Sequence, residues 1–264
     1  MSSLVLAELN VYPVKSCKGI SLQSAYLEAR GLRHDRRWMV VDEHDRFITQ
    51  REMPRLALVS PALEADHLVL TAPRMPELKV PFRMTSANVR PVTVWDDVVS
   101  AADVGDEARS WFSSFLGIPA GLVHMPDTAD RPVSMKGHAS QVSFADATPL
   151  LLISESSLVD LNSRLAEPLP MNRFRPNLVV RGCEPYAEDS WMEMVLGNVR
   201  LHAAELCTRC VTTTVNQLTG EKGREPLRTL ATYREHDGGV IFGHRLIHVG
   251  PGLLKVGDEA RIVG

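Results

Sequence analysis

Short apolar and β-branched segments run through most of this sequence, each cut off by a turn-forming cluster before it can extend. Val, Ile and Thr lose rotamer freedom in a helix and pack well on a pleated surface, so such a chain folds mainly as sheet. Leu4 to Tyr12 reads as a first strand. Trp38 to Val41 reads as another, turning through Asp42 to Asp45 and returning through Phe47 and Ile48 as a hairpin. Further strands are expected at Leu56 to Val59, Leu68 to Leu70, Val92 to Trp95, Leu178 to Val180, Val199 to Leu201, Val211 to Val215 and Ile247 to Val249.

Two helices stand out against this background. Val104, Ala108, Trp111, Phe112, Phe115 and Leu116 recur at three- and four-residue spacing and are closed by Gly117 and Pro119. A second helix is expected from Ser154 as N-cap, with Glu155 in its positive first turn and Leu158, Leu161 and Leu165 buried before Pro168. A short third one is expected from Pro226, with Leu227, Leu230 and Tyr233 inward. Pro73 to Pro81 and Met125 to Gln141 read as loops, the second long enough to serve as a lid. The expected fold class is mainly β with some helices (α+β). At roughly 150 residues per domain, 264 residues suggest two domains, divided near residue 120 into 1–120 and 121–264.

A hydrophobic share of 44% with 23% charged residues supplies a real core. The net charge of -3, with acids and bases interspersed, argues against a nucleic-acid partner. No apolar run approaches the ~20 residues of a transmembrane helix, and Met1 to Glu8 lacks the features of a signal peptide. A cytoplasmic location is the expectation. Only four cysteines occur, Cys17, Cys183, Cys207 and Cys210, in keeping with reduced thiols rather than a disulfide framework.

The segment Glu205 to Val215 carries the sharpest chemical signal. Cys207 and Cys210 stand three residues apart ahead of a β-branched run, and the charge of Arg209 between them favours thiolate, the form that binds metal or attacks a substrate. A structural zinc site lacks its second pair, with only His202 nearby. A thioredoxin-like pair needs a helix start, whereas Val211 to Val215 reads as the least helical stretch of the chain. Two small buried hydrophobes are the bland alternative. Three basic elements lie far away in sequence: Tyr12 to Gly19 with Lys15, Ser16 and Lys18 after a strand, Asp35 to Trp38 with Arg36 at a strand edge, and Asn172 to Asn177. In the last, the period of two would project Arg175 and Asn177 to one side. Each suits an anion or a polar heterocycle, and each alone could be an ordinary loop.

Together with Asp146 to Pro149, Gly182 to Trp191, Cys207 to Thr214 and Glu225 to Arg234, these segments resemble, in order and over nearly the whole chain, the family of the mitochondrial amidoxime reducing component and its bacterial relatives, which carry a MOSC domain. The resemblance implies a β-rich amino-terminal MOSC_N-type domain packed on a MOSC β-barrel, with a molybdenum cofactor (Mo-molybdopterin) between them. It implies Cys210 as protein ligand to molybdenum, Lys15, Ser16 and Arg36 at the terminal phosphate, and Thr148, Arg175 and Asn177 at the pterin. The implied reaction reduces small-molecule N-hydroxylated compounds: amidoximes, hydroxylamines and N-hydroxylated bases. With no ferredoxin-type cysteine run, electrons would come from an external protein, cytochrome b5-like, a ferredoxin or a flavin reductase. A non-redox carrier of the cofactor or of persulfide sulfur, using Cys210, is the alternative. Asn216, where relatives often have aspartate, and Ala147, in place of a hydroxylated residue, depart from the family pattern.

Overall fold

The computed structural model describes residues 3–83 and 88–263, and its strands organise around one large curled sheet. Nine strands make that sheet, including Val5–Val11, Leu150–Ser154, Leu178–Arg181, Gly239–Val249 and Val199–Thr208. Its two ends approach each other. Val5 bridges Glu259, Leu6 N donates to Asp258 O at 2.9 Å, and Ala260 N donates to Leu4 O at 2.8 Å, so the sheet curls toward a barrel with few free edges. Leu6, Leu9, Leu152, Leu178, Leu201 and Leu246 fill its interior.

One pair in this sheet is parallel. Leu150–Ser154 runs beside Leu178–Arg181 with Leu152 opposite Leu178, and the helix Glu155–Ser163 belongs to the connection between them. Ser154 caps that helix as expected, its hydroxyl accepting from Ser157 N at 3.1 Å. Because the two strands run the same way in register, the loops before them, carrying Thr148 and Asn177, emerge at the same end of the sheet. This places two of the expected site residues side by side.

A second, four-stranded antiparallel sheet joins Trp38–Asp42, Ala120–His124, Asp97–Asp103 and Val89–Val94. The helix Asp106–Leu116 packs here through Ala108, Trp111, Phe112, Phe115 and Leu116, and ends at Gly117 in the left-handed conformation with φ of 75°. Each of its large buried side chains contributes roughly 1.5–3 kcal/mol by leaving water.

Two expected strands are helical turns instead. Pro54 occupies the first helical position of a 3-10 helix, Pro54–Leu58, where its fixed φ and missing donor suit a turn better than a ladder. Val211–Thr214 is also a 3-10 turn. There Thr213 Oγ1 donates to Cys210 O at 2.9 Å and Thr214 Oγ1 to Val211 O at 2.8 Å, so hydroxyl-to-backbone bonds override the β preference of the side chains. Within the expected loop Met125 to Gln141, the strands Pro132–Met135 and His138–Gln141 form a hairpin.

Candidate functional site

Main-chain bonds zip the turn after the first strand to the turn before Trp38. Lys15 N donates to Trp38 O at 2.8 Å, Arg36 N to Tyr12 O at 2.8 Å and Trp38 N to Pro13 O at 3.0 Å. The Asp35 carboxylate adds a bond from Tyr12 N at 2.8 Å and pairs with Arg36. Ser16 and Arg36 are thereby held at φ of 67° and 49°, and Arg175 at 58°. Left-handed backbone costs a residue with a Cβ roughly 1–2 kcal/mol, and such strain clusters at ligand clamps.

All seven expected site residues, Lys15, Ser16, Arg36, Thr148, Arg175, Asn177 and Cys210, line one cavity of about 360 Å³. That size falls within the usual range of small-molecule sites, roughly 300–1,000 Å³. Three of them form its inner end. The Arg36 and Arg175 guanidinium carbons lie 4.4 and 4.3 Å from the centroid of the Tyr12 ring, within cation–π range. Arg36 Nη1 also donates to Asn177 Oδ1 at 2.9 Å, and Arg175 Nη1 to Cys17 O at 2.5 Å. Burial pulls Arg175 down to about 10 and pushes Tyr12 up to about 12. Proximity of Arg175 and Asn177 does not come from strand alternation, since both precede the strand and Arg175 is left-handed.

Asn177 is itself tied into the protein. Its Oδ1 also accepts from Leu151 N at 3.2 Å, while Nδ2 donates to Asn10 O at 3.1 Å. Thr148 Oγ1 donates to Leu150 O at 3.0 Å. Lys15 is 4% exposed, and burial lowers its pKa while its partner Asp146 offsets part of that effect. Its Nζ also donates to Phe144 O at 2.7 Å.

The two neighbouring thiols part company. The strand Val199–Thr208 shifts register between Ala203 and Glu205 and again between Leu206 and Thr208, irregularities that bend a strand and occur often beside functional sites. Beyond the bend Cys207 is buried with Arg209 Nη1 at 2.9 Å from its sulfur, and Cys210 is half-buried. Of the two thiols, Arg209 therefore serves Cys207. For Cys210, burial raises the pKa, but the Thr212 hydroxyl and amide and the Arg51 guanidinium outweigh it, and the thiol falls below its ordinary value. Cys210 Sγ and Thr212 Oγ1 are 3.4 Å apart. The β-branched run after Cys210 is a helical turn, so its strand reading is no ground against a redox pair; the different surroundings of the two sulfurs are what separate them.

Sequence reading missed Arg51, Trp95 and Asp146 as site residues, all of which line the same cavity. Arg51 Nη2 donates to Asp146 Oδ2 at 3.3 Å, Trp95 Nε1 donates to Asp146 Oδ1 at 3.2 Å, and Arg51 lies 4.5 Å over the Trp95 ring. Trp95 has φ of 56° in the turn between two strands. A bulky residue there is a genuine outlier, and no sequence signal marks it. Asn216 caps its own turn, its Oδ1 accepting from Leu218 N at 2.9 Å, and it is absent from the residues lining the cavity, whereas Ala147 is among them. Among the described residues no group of three or more His, Cys, Asp or Glu side chains is arranged to hold a metal, and no helix is long and apolar enough to cross a membrane.

Comparison with known proteins adds an independent line. Residues 3–119 match the MOSC N-terminal beta barrel domain, and residues 139–261 match the MOSC domain. Mitochondrial amidoxime-reducing component 1 of Homo sapiens is 37% identical over 98% of this chain and 83% of its own length. Mitochondrial amidoxime reducing component 2 of Bos taurus is 39% identical over 96% of this chain and 81% of its own. The chain therefore belongs to the mitochondrial amidoxime-reducing component family of MOSC-domain proteins.

Proposed function

We propose that this protein is a molybdenum-cofactor-dependent oxidoreductase that reduces N-hydroxylated compounds such as amidoximes, hydroxylamines and N-hydroxylated bases, with electrons from a separate donor protein. The observation that carries this reading is the convergence of residues from five distant segments on one cavity with a cationic inner end and a half-buried thiol of lowered pKa. Arg209 Nε, buried at the same cavity, has no hydrogen-bond partner among the described residues. A ligand with an anionic phosphate at one end and a thiophilic metal at the other fits this donor set.

In this reading Lys15, Ser16 and Arg36 hold the phosphate, and Thr148, Arg175 and Asn177 fix the pterin. Asn177, whose Oδ1 is filled by Arg36 and Leu151, gives one Nδ2 hydrogen to Asn10 O and keeps the other for a ligand, while also positioning the Arg36 guanidinium. Cys210 supplies the protein's soft ligand, and Thr212 and Arg51 favour its thiolate form. Few protein ligands are needed beside it, because the cofactor brings its own sulfurs. When bound, it supplies two-electron reduction of an N–O bond with release of water.

The test is reduction of benzamidoxime by the purified holoenzyme with a chemical electron donor. Cys210→Ala is expected to lower the rate at least about a hundredfold, the range for removing a group that acts on the reacting centre, and Cys207→Ala to lower it far less. Equal losses would reject Cys210 as the distinct ligand. Cofactor binding without reduction of any N-hydroxylated compound would favour the carrier role instead.

A further inference from the structure

Asp146 is the sole carboxylate among the described residues lining the cavity, against Lys15, Arg36, Arg51, Arg175, Arg209 and Arg245. Asp35 and Glu205 pair with Arg36 and Arg245 from outside the lining, which still leaves the cations in the majority. Asp146 is nevertheless not used up by its neighbours. Among the described residues Oδ1 takes Lys15 and Trp95, Oδ2 takes only Arg51 at 3.3 Å, and the side chain is 48% exposed. An ionised carboxylate offers about four lone-pair sites, so a site on Oδ2 remains for a ligand. Lys15 and Arg51 hold the carboxyl well below its usual range despite the opposing effect of burial, so it stays an anion at neutral pH. Asp146 bridges Lys15 and Arg51 across the wall of the cavity that Cys210 also lines, so this anion faces the same space as the sulfur.

The chemistry of the proposed substrates differs in one respect that such an anion would sense. An amidoxime, R–C(=NOH)NH2, takes up two electrons from the donor protein and three protons. Its N–O bond breaks, and it leaves as water and an amidinium cation. An N-hydroxylated cytosine takes two electrons and two protons and leaves as water and a neutral base. Only the first product gains positive charge inside a cationic cavity.

We infer that Asp146 is a specificity-determining residue that accepts N–H donors of amidine-type substrates through Oδ2 and stabilises the cationic product, favouring amidoximes and N-hydroxyguanidines over substrates with neutral products. This rests on the proposed reductase activity and deepens it. The experiment compares kcat/KM for benzamidoxime and for N-hydroxycytosine in wild type, Asp146→Asn and Asp146→Glu holoenzyme. The ratio of the two is expected to fall by about tenfold or more in Asp146→Asn, the scale of a hydrogen bond to a charged group, and to recover at least in part in Asp146→Glu. A ratio unmoved by Asp146→Asn, whatever the common loss of rate, would overturn the inference. Calorimetry gives a second readout if Asp146→Asn loads or folds poorly. Wild-type holoenzyme is expected to bind benzamidine about tenfold or more tighter than the neutral isostere benzamide, and equal binding would likewise overturn it. Wild-type protein that reduces neither substrate would instead count against the reductase reading itself.

Discussion

The inner end of the cavity and its mouth hold guanidinium groups in opposite ways. At the inner end Arg36 and Arg175 lean on the buried Tyr12 ring, Arg36 pairs with an Asp35 that is 3% exposed, and backbone strain is locked in by neighbouring main-chain bonds. At the mouth Arg51 and Trp95 reach a half-exposed Asp146. One end is built as part of the core. The other is built from groups that solvent can reach, and under the proposed function the first would hold a permanent group and the second meet a transient one.

The largest expected difference between them is in stability. Arg36→Ala leaves a buried Asp35 with the Tyr12 amide but without its paired cation, and is expected to cost about 3 kcal/mol, the low end of the range for breaking a buried pair. Arg51→Ala removes a partly exposed contact while Asp146 keeps Lys15, and is expected to cost less than about 1 kcal/mol. Urea unfolding of both variants checks this. Comparable losses would mean that the mouth is as structural as the inner end.

A smaller effect concerns the turn that presents Cys210. Thr213→Val keeps the shape of the side chain but removes the hydroxyl bond to Cys210 O, and is expected to cost about 1 kcal/mol. Loss of activity beyond what that destabilisation explains would show that the bond also aims the sulfur. Smaller still is the acid response of the mouth. Because the folded state holds Asp146 below its ordinary value, its contribution is full above the unfolded carboxylate value of about 3.9 and is lost as pH falls through the lower folded value. The Tm difference between wild type and Asp146→Asn is therefore expected to shrink as pH drops below about 4. A difference that grows with acid would reverse the assigned sign.

The same contrast explains what was legible in the sequence. Lys15, Ser16, Arg36, Arg175 and Asn177 sit in compact polar turns flanking strands, and the strands Val5–Val11, Trp38–Asp42 and Leu178–Arg181 follow directly from their apolar patterning. Arg51, Trp95 and Asp146 meet only through the tertiary fold; Asp146 opens the marked segment Asp146 to Pro149, but no spacing links it to Arg51 or Trp95. Trp95 read as the last residue of a strand, and its left-handed turn is invisible to a β-propensity argument. Val211–Thr214 departs from the strand expectation for a related reason, because its threonine hydroxyls bond back to the chain, which their branched shape does not reveal. Both thiols line the cavity, and it is the family resemblance that implies Cys210 rather than Cys207 as the metal ligand, a distinction that spacing alone leaves open.

The most direct test of a cofactor held between this inner end and Cys210 is the molybdenum content of protein purified from a host that makes the cofactor. The expected result is near-stoichiometric metal in the wild type and a clear loss in Arg36→Ala and Cys210→Ala, each checked for fold by circular dichroism. Wild-type protein carrying no molybdenum, or zinc alone, would contradict it.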